Sequence, residues 1–128
     1  MKIVKTLTII LVFFTVGFAF AQQGNNSKNS KSETMKTFLI ERDMPGVGQL
    51  SLGDLQGASQ KSCNVLKDLG SGIEWLNSYV VDDKLFCVYK AESKEIIKEH
   101  AEKGGFPCNK IMEVKANIGP FTANGKVY

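Results

Sequence analysis

Glu41, Asn77, Tyr79 and Glu113 are the side chains of this sequence best suited to chemistry by type. Two carboxylates, an amide and a phenol can hold a divalent cation or a small polar ligand, because such cations take oxygen donors. His100 is the only histidine, and imidazole is the commonest metal ligand. Glu41, Asn77, His100 and Glu113 therefore form the candidate metal set, although each has a bland reading as a solvated or packed side chain. Cys63, Cys87 and Cys108 lack the spacing of a metal motif. No nucleophile with a base and an orienting group, no P-loop and no dinucleotide fingerprint is present. No catalytic residue is assigned, and the residue types favour binding over catalysis.

The elements that must position these groups centre on residues 73–91, IEWLNSYVVDDKLFCVYKA. Two β-prone, alternating runs meet at Asp82-Asp83, which is the pattern of a hairpin. Upstream, residues 36–42 alternate as a strand, and Pro45 with two glycines ends it. Residues 51–69 have helical spacing, with Leu52, Leu55, Ala58 or Ser59, Ser62, Leu66 and Leu69 on one stripe. Ser51 and Asp54 sit at capping-box spacing, and Gly70 is a natural stop. Residues 93–104 form a second amphipathic helix with Ile96, Ile97, His100 and Ala101 inward. Residues 111–116 give a last strand, with Met112 and Val114 opposite Glu113 and Lys115. The order β-α-β-β-α-β predicts an α+β, ferredoxin-like fold: a four-stranded antiparallel sheet with two helices on one face.

A two-residue turn at Asp82-Asp83 places Ser78 opposite Cys87 and Leu76 opposite Tyr89 on the helix side, with Phe38, Ile40, Met112 and Val114. The open side then carries Leu39, Glu41, Trp75, Asn77, Tyr79, Phe86, Val88 and Glu113. A three-residue turn would exchange the faces. Large apolar residues on an open face predict a homodimer that stacks two sheets. Trp75, Tyr79, Cys87 and Tyr89 are the candidates to line a ligand cavity, if the domain acts on or binds a small organic molecule. A helix lies too far above a sheet for Cys63 and Cys87 to be bridged, so both are expected as free, buried thiols, with Cys108 the more reactive loop thiol.

The ends of the chain set its context. Residues 1–21 have a basic start, an apolar run too short to span a bilayer, and Ala19-Phe20-Ala21 ahead of Gln22, the pattern of a cleaved secretory signal. Residues 22–34 lack large apolar side chains and read as a disordered linker, ahead of a folded domain over 35–123 and a tail over 124–128. The expected location is periplasmic or secreted, with no stable membrane association after cleavage. Without Lys2 and Lys5 the 16 basic residues become 14 against 13 acidic ones, so nucleic acid is not an expected partner.

The string W-L-x-S-Y-V-x-D-D-K-x-x-C-V-Y-x-A, followed by E-H-A-x-x-G-G-F-P and I-x-E-V, resembles a family of small proteins catalogued as a domain of unknown function. It is carried by Trp75, Ser78, Tyr79, Asp83, Lys84, Cys87, Tyr89, His100, Gly105, Phe106, Pro107 and Glu113. The family includes a nickel-binding protein with a ferredoxin-like fold that forms a dimeric α+β barrel. The resemblance implies the same fold, a homodimer, and nickel or another divalent transition metal as the ligand. Relatives commonly carry His at the position of Asn77, and an amide oxygen is a weaker donor to nickel than imidazole. An enzyme of the α+β-barrel type and a non-catalytic interaction module tethered by the linker are the other function classes the sequence allows.

Overall fold

Alternation along the first strand explains why the sheet has one dry face. Phe38, Ile40 and Arg42 are buried, whereas Thr37, Leu39 and Glu41 between them are half-buried. This is strand β1 (Lys36–Asp43) of a computed structural model that describes residues 35–127. The expected signal and linker lie outside the described residues. Helix α1 (Leu52–Leu69), strands β2 (Ile73–Val80) and β3 (Lys84–Ala91), helix α2 (Lys94–Gly104) and strand β4 (Lys110–Glu113) follow. The strands lie in the order β2-β3-β1-β4, each antiparallel to its neighbours. The two helices pack on each other and on the dry face, around a core of Phe38, Ile40, Ile73, Cys87, Tyr89, Ala91 and Ile97. This is the ferredoxin-like α+β arrangement expected from the element order.

Local signals set the boundaries. The Ser51 hydroxyl accepts from the Asp54 amide while the Asp54 carboxylate reaches back to the Ser51 amide, a complete capping box on α1. The hairpin closes through Val81 N–H to Lys84 O at 2.9 Å, so the turn is the two residues Asp82-Asp83. A short turn at Val47–Gln49 lies against it: the Met44 amide donates to the Asp83 carbonyl and the Gly46 amide to its side chain, at 2.9 and 2.8 Å. Asp83 thus anchors a turn.

Three face assignments differ from the alternation read in sequence. The hairpin register is as expected at Asn77–Val88, Ser78–Cys87 and Tyr79–Phe86, but a bulge at Leu76 brings Trp75, rather than Leu76, opposite Tyr89. One extra residue changes the parity of everything before it, so the indole joins the helix side and Leu76 is left 43% exposed. In β4, Phe38 pairs with Glu113 and Ile40 with Ile111. Ile111 and Glu113 therefore face the helices and Met112 the open side, the reverse of expectation. Residues 111–114 carry apolar side chains at both parities, so alternation alone cannot choose. On α1, Val65 and Ser62 are the buried residues, while Leu52 is 83% exposed and Cys63 lies on the outer face rather than buried. Residues 120–124 form a short 3-10 turn where the sequence shows no periodicity.

The end of α2 sets the geometry of the site. Gly105 adopts φ 65° and its amide donates to the Ala101 and Glu102 carbonyls, and the Phe106 amide donates to Ala101 O at 2.8 Å. The Phe106 ring folds back against Gly104, where a Cβ would stand only 2.3 Å from it. Gly104→Ala must therefore push this ring out of place. We expect a loss of about 1–3 kcal/mol, typical of overpacking, read as a lower urea midpoint at unchanged m-value.

Candidate ligand cavity

The third inward residue of β1 is a cation. Arg42 is 2% exposed although Phe38 and Ile40 precede it on the same face. Its Nε donates to Cys87 Sγ at 3.4 Å, its Nη1 donates to the Pro107 carbonyl, and Phe106 lies with its ring centroid 5.7 Å from the guanidinium carbon. Nη2 has no partner, and among the described residues no carboxylate forms an ion pair with Arg42. The groups that hold this cation are a carbonyl, a cysteine sulfur and a ring, with no carboxylate among them.

A chain of polar groups runs from Arg42 into the core. Burial pushes the Tyr89 phenol above its usual pKa, against the lowering influence of the nearby Ser62 and Arg42. Ser62 Oγ lies 3.0 Å from His100 Nε2, while His100 Nδ1 has no partner. The imidazole is fully buried between Tyr89 and Phe106, with ring centroids at 5.4 and 5.6 Å. Burial first, and the charge of Arg42 second, lower its pKa from 6.5 to about 4, against the raising influence of the Ser62 backbone. His100 is neutral at neutral pH.

Beside this chain lies a cavity of about 160 Å³ between α1 and the sheet. Its sheet wall comes from Arg42, Trp75, Ser78, Leu85, Cys87 and Tyr89, and α1 supplies Leu55, Ala58, Ser59 and Ser62. Met44, Val80 and Phe106 complete it, and Val80 is 43% exposed, so the lining reaches solvent. Trp75 is stacked on Tyr89 and its indole N–H donates to Ser78 Oγ at 2.9 Å. The space is largely apolar, with one cation and a few hydroxyls in its wall, which suits a small molecule with an apolar body and a polar end.

Of the expected cavity residues, Trp75, Cys87 and Tyr89 line this space. Tyr79 does not: it stands 62% exposed on the other face of the sheet, opposite Phe86. The expected metal set is divided between the two faces. Glu41 and Asn77 lie on the open side, Glu41 bound by Lys84, which also pairs with Asp43 at 3.2 Å. Glu113 faces the helix side at the sheet margin and His100 is buried in α2. Hydrogen bonds from Lys115 and Lys36 hold the Glu113 carboxyl below its usual pKa. Arg42 is the site residue that the sequence reading missed. Its signal was present, since it shares the parity of Phe38 and Ile40.

These features define a ferredoxin-like α+β domain with a cavity between its sheet and its first helix. The family described as nickel responsive protein SCO4226-like matches residues 38–114, more than half of the chain, and the chain belongs to that family. Among solved structures it is similar to the crystal structure of SCO4226 from Streptomyces coelicolor A3(2), at 20% identity and a TM-score of 0.55. That match covers 64% of this chain and 99% of the other, and it shows the fold. No curated protein matches the chain. The family name raises the question of nickel, and the donors of one copy do not fit it. Among the described residues no three His, Cys, Asp or Glu side chains come together, and the carboxylates in question already hold lysines.

The buried imidazole gives the domain a pH signature. Because its pKa is about 4 when folded and ordinarily 6.5, the unfolded chain binds the extra proton between those values. The stability from neutral His100 is fully present above about pH 6.5 and is lost as pH falls toward about 4. Urea midpoints should decline through this window in the native chain, and His100→Gln should flatten that part of the profile.

Proposed function

We propose that this protein is a small-molecule binding protein, and that its ligand occupies the cavity between α1 and the sheet. The observation that carries this reading is the cavity itself: an apolar space of about 160 Å³ walled by Trp75, Cys87 and Tyr89, beside a buried guanidinium with a donor to spare. Its lining includes Ser78 and Phe106, and His100 and Pro107 support Tyr89 and Arg42 from behind. These residues also carry the family resemblance. Trp75 is the only tryptophan and reports on the space directly. Titrating the protein with ring-sized organic compounds should change Trp75 emission saturably, and Ala58→Met, which fills the cavity from α1, should weaken the response. If no compound in a chemically broad panel changes the emission of the native chain, this function is wrong.

Family membership favours a second reading. In it the chain is exported by residues 1–21, tethered by residues 22–34, and responds to nickel or another divalent transition metal as a homodimer. The open face bears Leu39, Phe86, Val88 and Met112, which suit the stacking of two copies. Two copies would also bring two sets of Glu41 and Asp43 to one seam, where a metal would have to displace Lys84. Light scattering should give twice the mass of one chain, and elemental analysis of untagged protein should find stoichiometric metal. A metal-free monomer that remains so after incubation with nickel would end this reading.

A further inference from the structure

We infer that the cavity ligand is a small organic carboxylate, anchored by the guanidinium of Arg42. This rests on the cavity-binding function proposed above and specifies the ligand's chemical class. Removing a cation from water costs several kcal/mol unless an anion or a full set of hydrogen bonds replaces its hydration. Arg42 is 2% exposed, it is held by a cysteine sulfur, a carbonyl and a ring rather than by a carboxylate, and its Nη2 is unpaired. A guanidinium presents parallel N–H groups that match the two oxygens of a carboxylate. Arg42 is the only Asp, Glu, Lys or Arg in the cavity lining, so no fixed acid competes there for that role. Tyr89 stands in the same wall, and burial keeps its phenol protonated, so it can donate to an acceptor. His100, behind it, is neutral and neither repels nor attracts an anion strongly.

Size and lining narrow the class. A protein cavity of about 150 Å³ accommodates benzene, and this one measures about 160 Å³. Leu55, Trp75 and Leu85 offer the ligand apolar walls that hydrated inorganic anions would not use. The fitting ligand is therefore an acid with a single ring or a short branched chain. A nucleotide or sugar phosphate is too large and too polar.

The test compares molecules of one shape and different charge. Benzoate, benzamide and benzyl alcohol are titrated against the purified protein at pH 7, with Trp75 emission and thermal shift as readouts and inorganic phosphate as a control. Benzoate should bind about tenfold or more tightly than benzamide, the difference expected for a charge-assisted hydrogen bond. Arg42→Gln should lose that preference while keeping benzamide binding. If that variant does not fold, Arg42→Lys serves, with the preference reduced because an ammonium lacks the fork. Equal binding of benzoate and benzamide by the native chain overturns the carboxylate inference and leaves the cavity function standing. Competition by phosphate as strong as that by benzoate overturns the organic class. No response to any compound, these or the wider panel, removes both readings together.

Discussion

A guanidinium buried in the dry face of a sheet is the feature around which this domain is arranged. Arg42 occupies a position that alternation reserves for an apolar side chain, and its surroundings are built to tolerate it. Cys87 from the neighbouring strand, the Pro107 carbonyl and the Phe106 ring each take part of the cation. The last two come from the turn after α2, whose shape depends on two glycines. Gly105 supplies the left-handed backbone, and Gly104 leaves room for the Phe106 ring. The run Gly104-Gly105-Phe106-Pro107 is thus a device for bringing neutral partners to a buried charge. One donor of that charge is left over, and a buried unpaired donor is costly enough to need an explanation.

The sheet divides the molecule into two chemical environments. On the helix side, burial lowers the basicity of His100 and raises the pKa of Tyr89, so both are neutral at neutral pH beside the Arg42 guanidinium. On the open side, charges are exposed and mutually paired. Lys84 lies between Glu41 and Asp43, and these hydrogen bonds raise its pKa. Pairs of this kind contribute little to stability because water screens them. A molecule in the cavity would therefore meet one cation in a largely apolar lining. The open side is better suited to meeting another surface.

Family membership and side-chain geometry bear on different questions. Belonging to the nickel-responsive family identifies the lineage, and the similarity to SCO4226 at 20% identity identifies the fold. Neither transfers a ligand set, because a site is held by particular side chains on a scaffold that many functions share. In this chain Trp75, Ser78, Cys87, Tyr89 and Phe106 among the residues carrying the family resemblance line the cavity, and among the described residues no cluster of metal donors forms. Two that looked like ligands by type have structural work: Glu113 binds two lysines, and His100 packs between rings.

Sequence by itself determined the element order, the capping box on α1, the two-residue hairpin turn and the ferredoxin-like topology. These depend on near neighbours: period-two and period-3.6 alternation, turn residues and helix caps act over a few positions. It also named Trp75, Tyr79, Cys87 and Tyr89 as candidates to line a cavity, with Trp75 and Tyr79 assigned to the open face. Only the tertiary structure decided which way several side chains face. A bulge at Leu76 turned Trp75 inward, and pairing with β1 turned Glu113 toward the helices, because a single inserted or shifted residue reverses parity and the pattern of apolar residues tolerated either outcome. The same holds for Arg42. Its parity was legible, but its burial was not, since that depends on Cys87, Phe106 and Pro107 converging on it from distant parts of the chain.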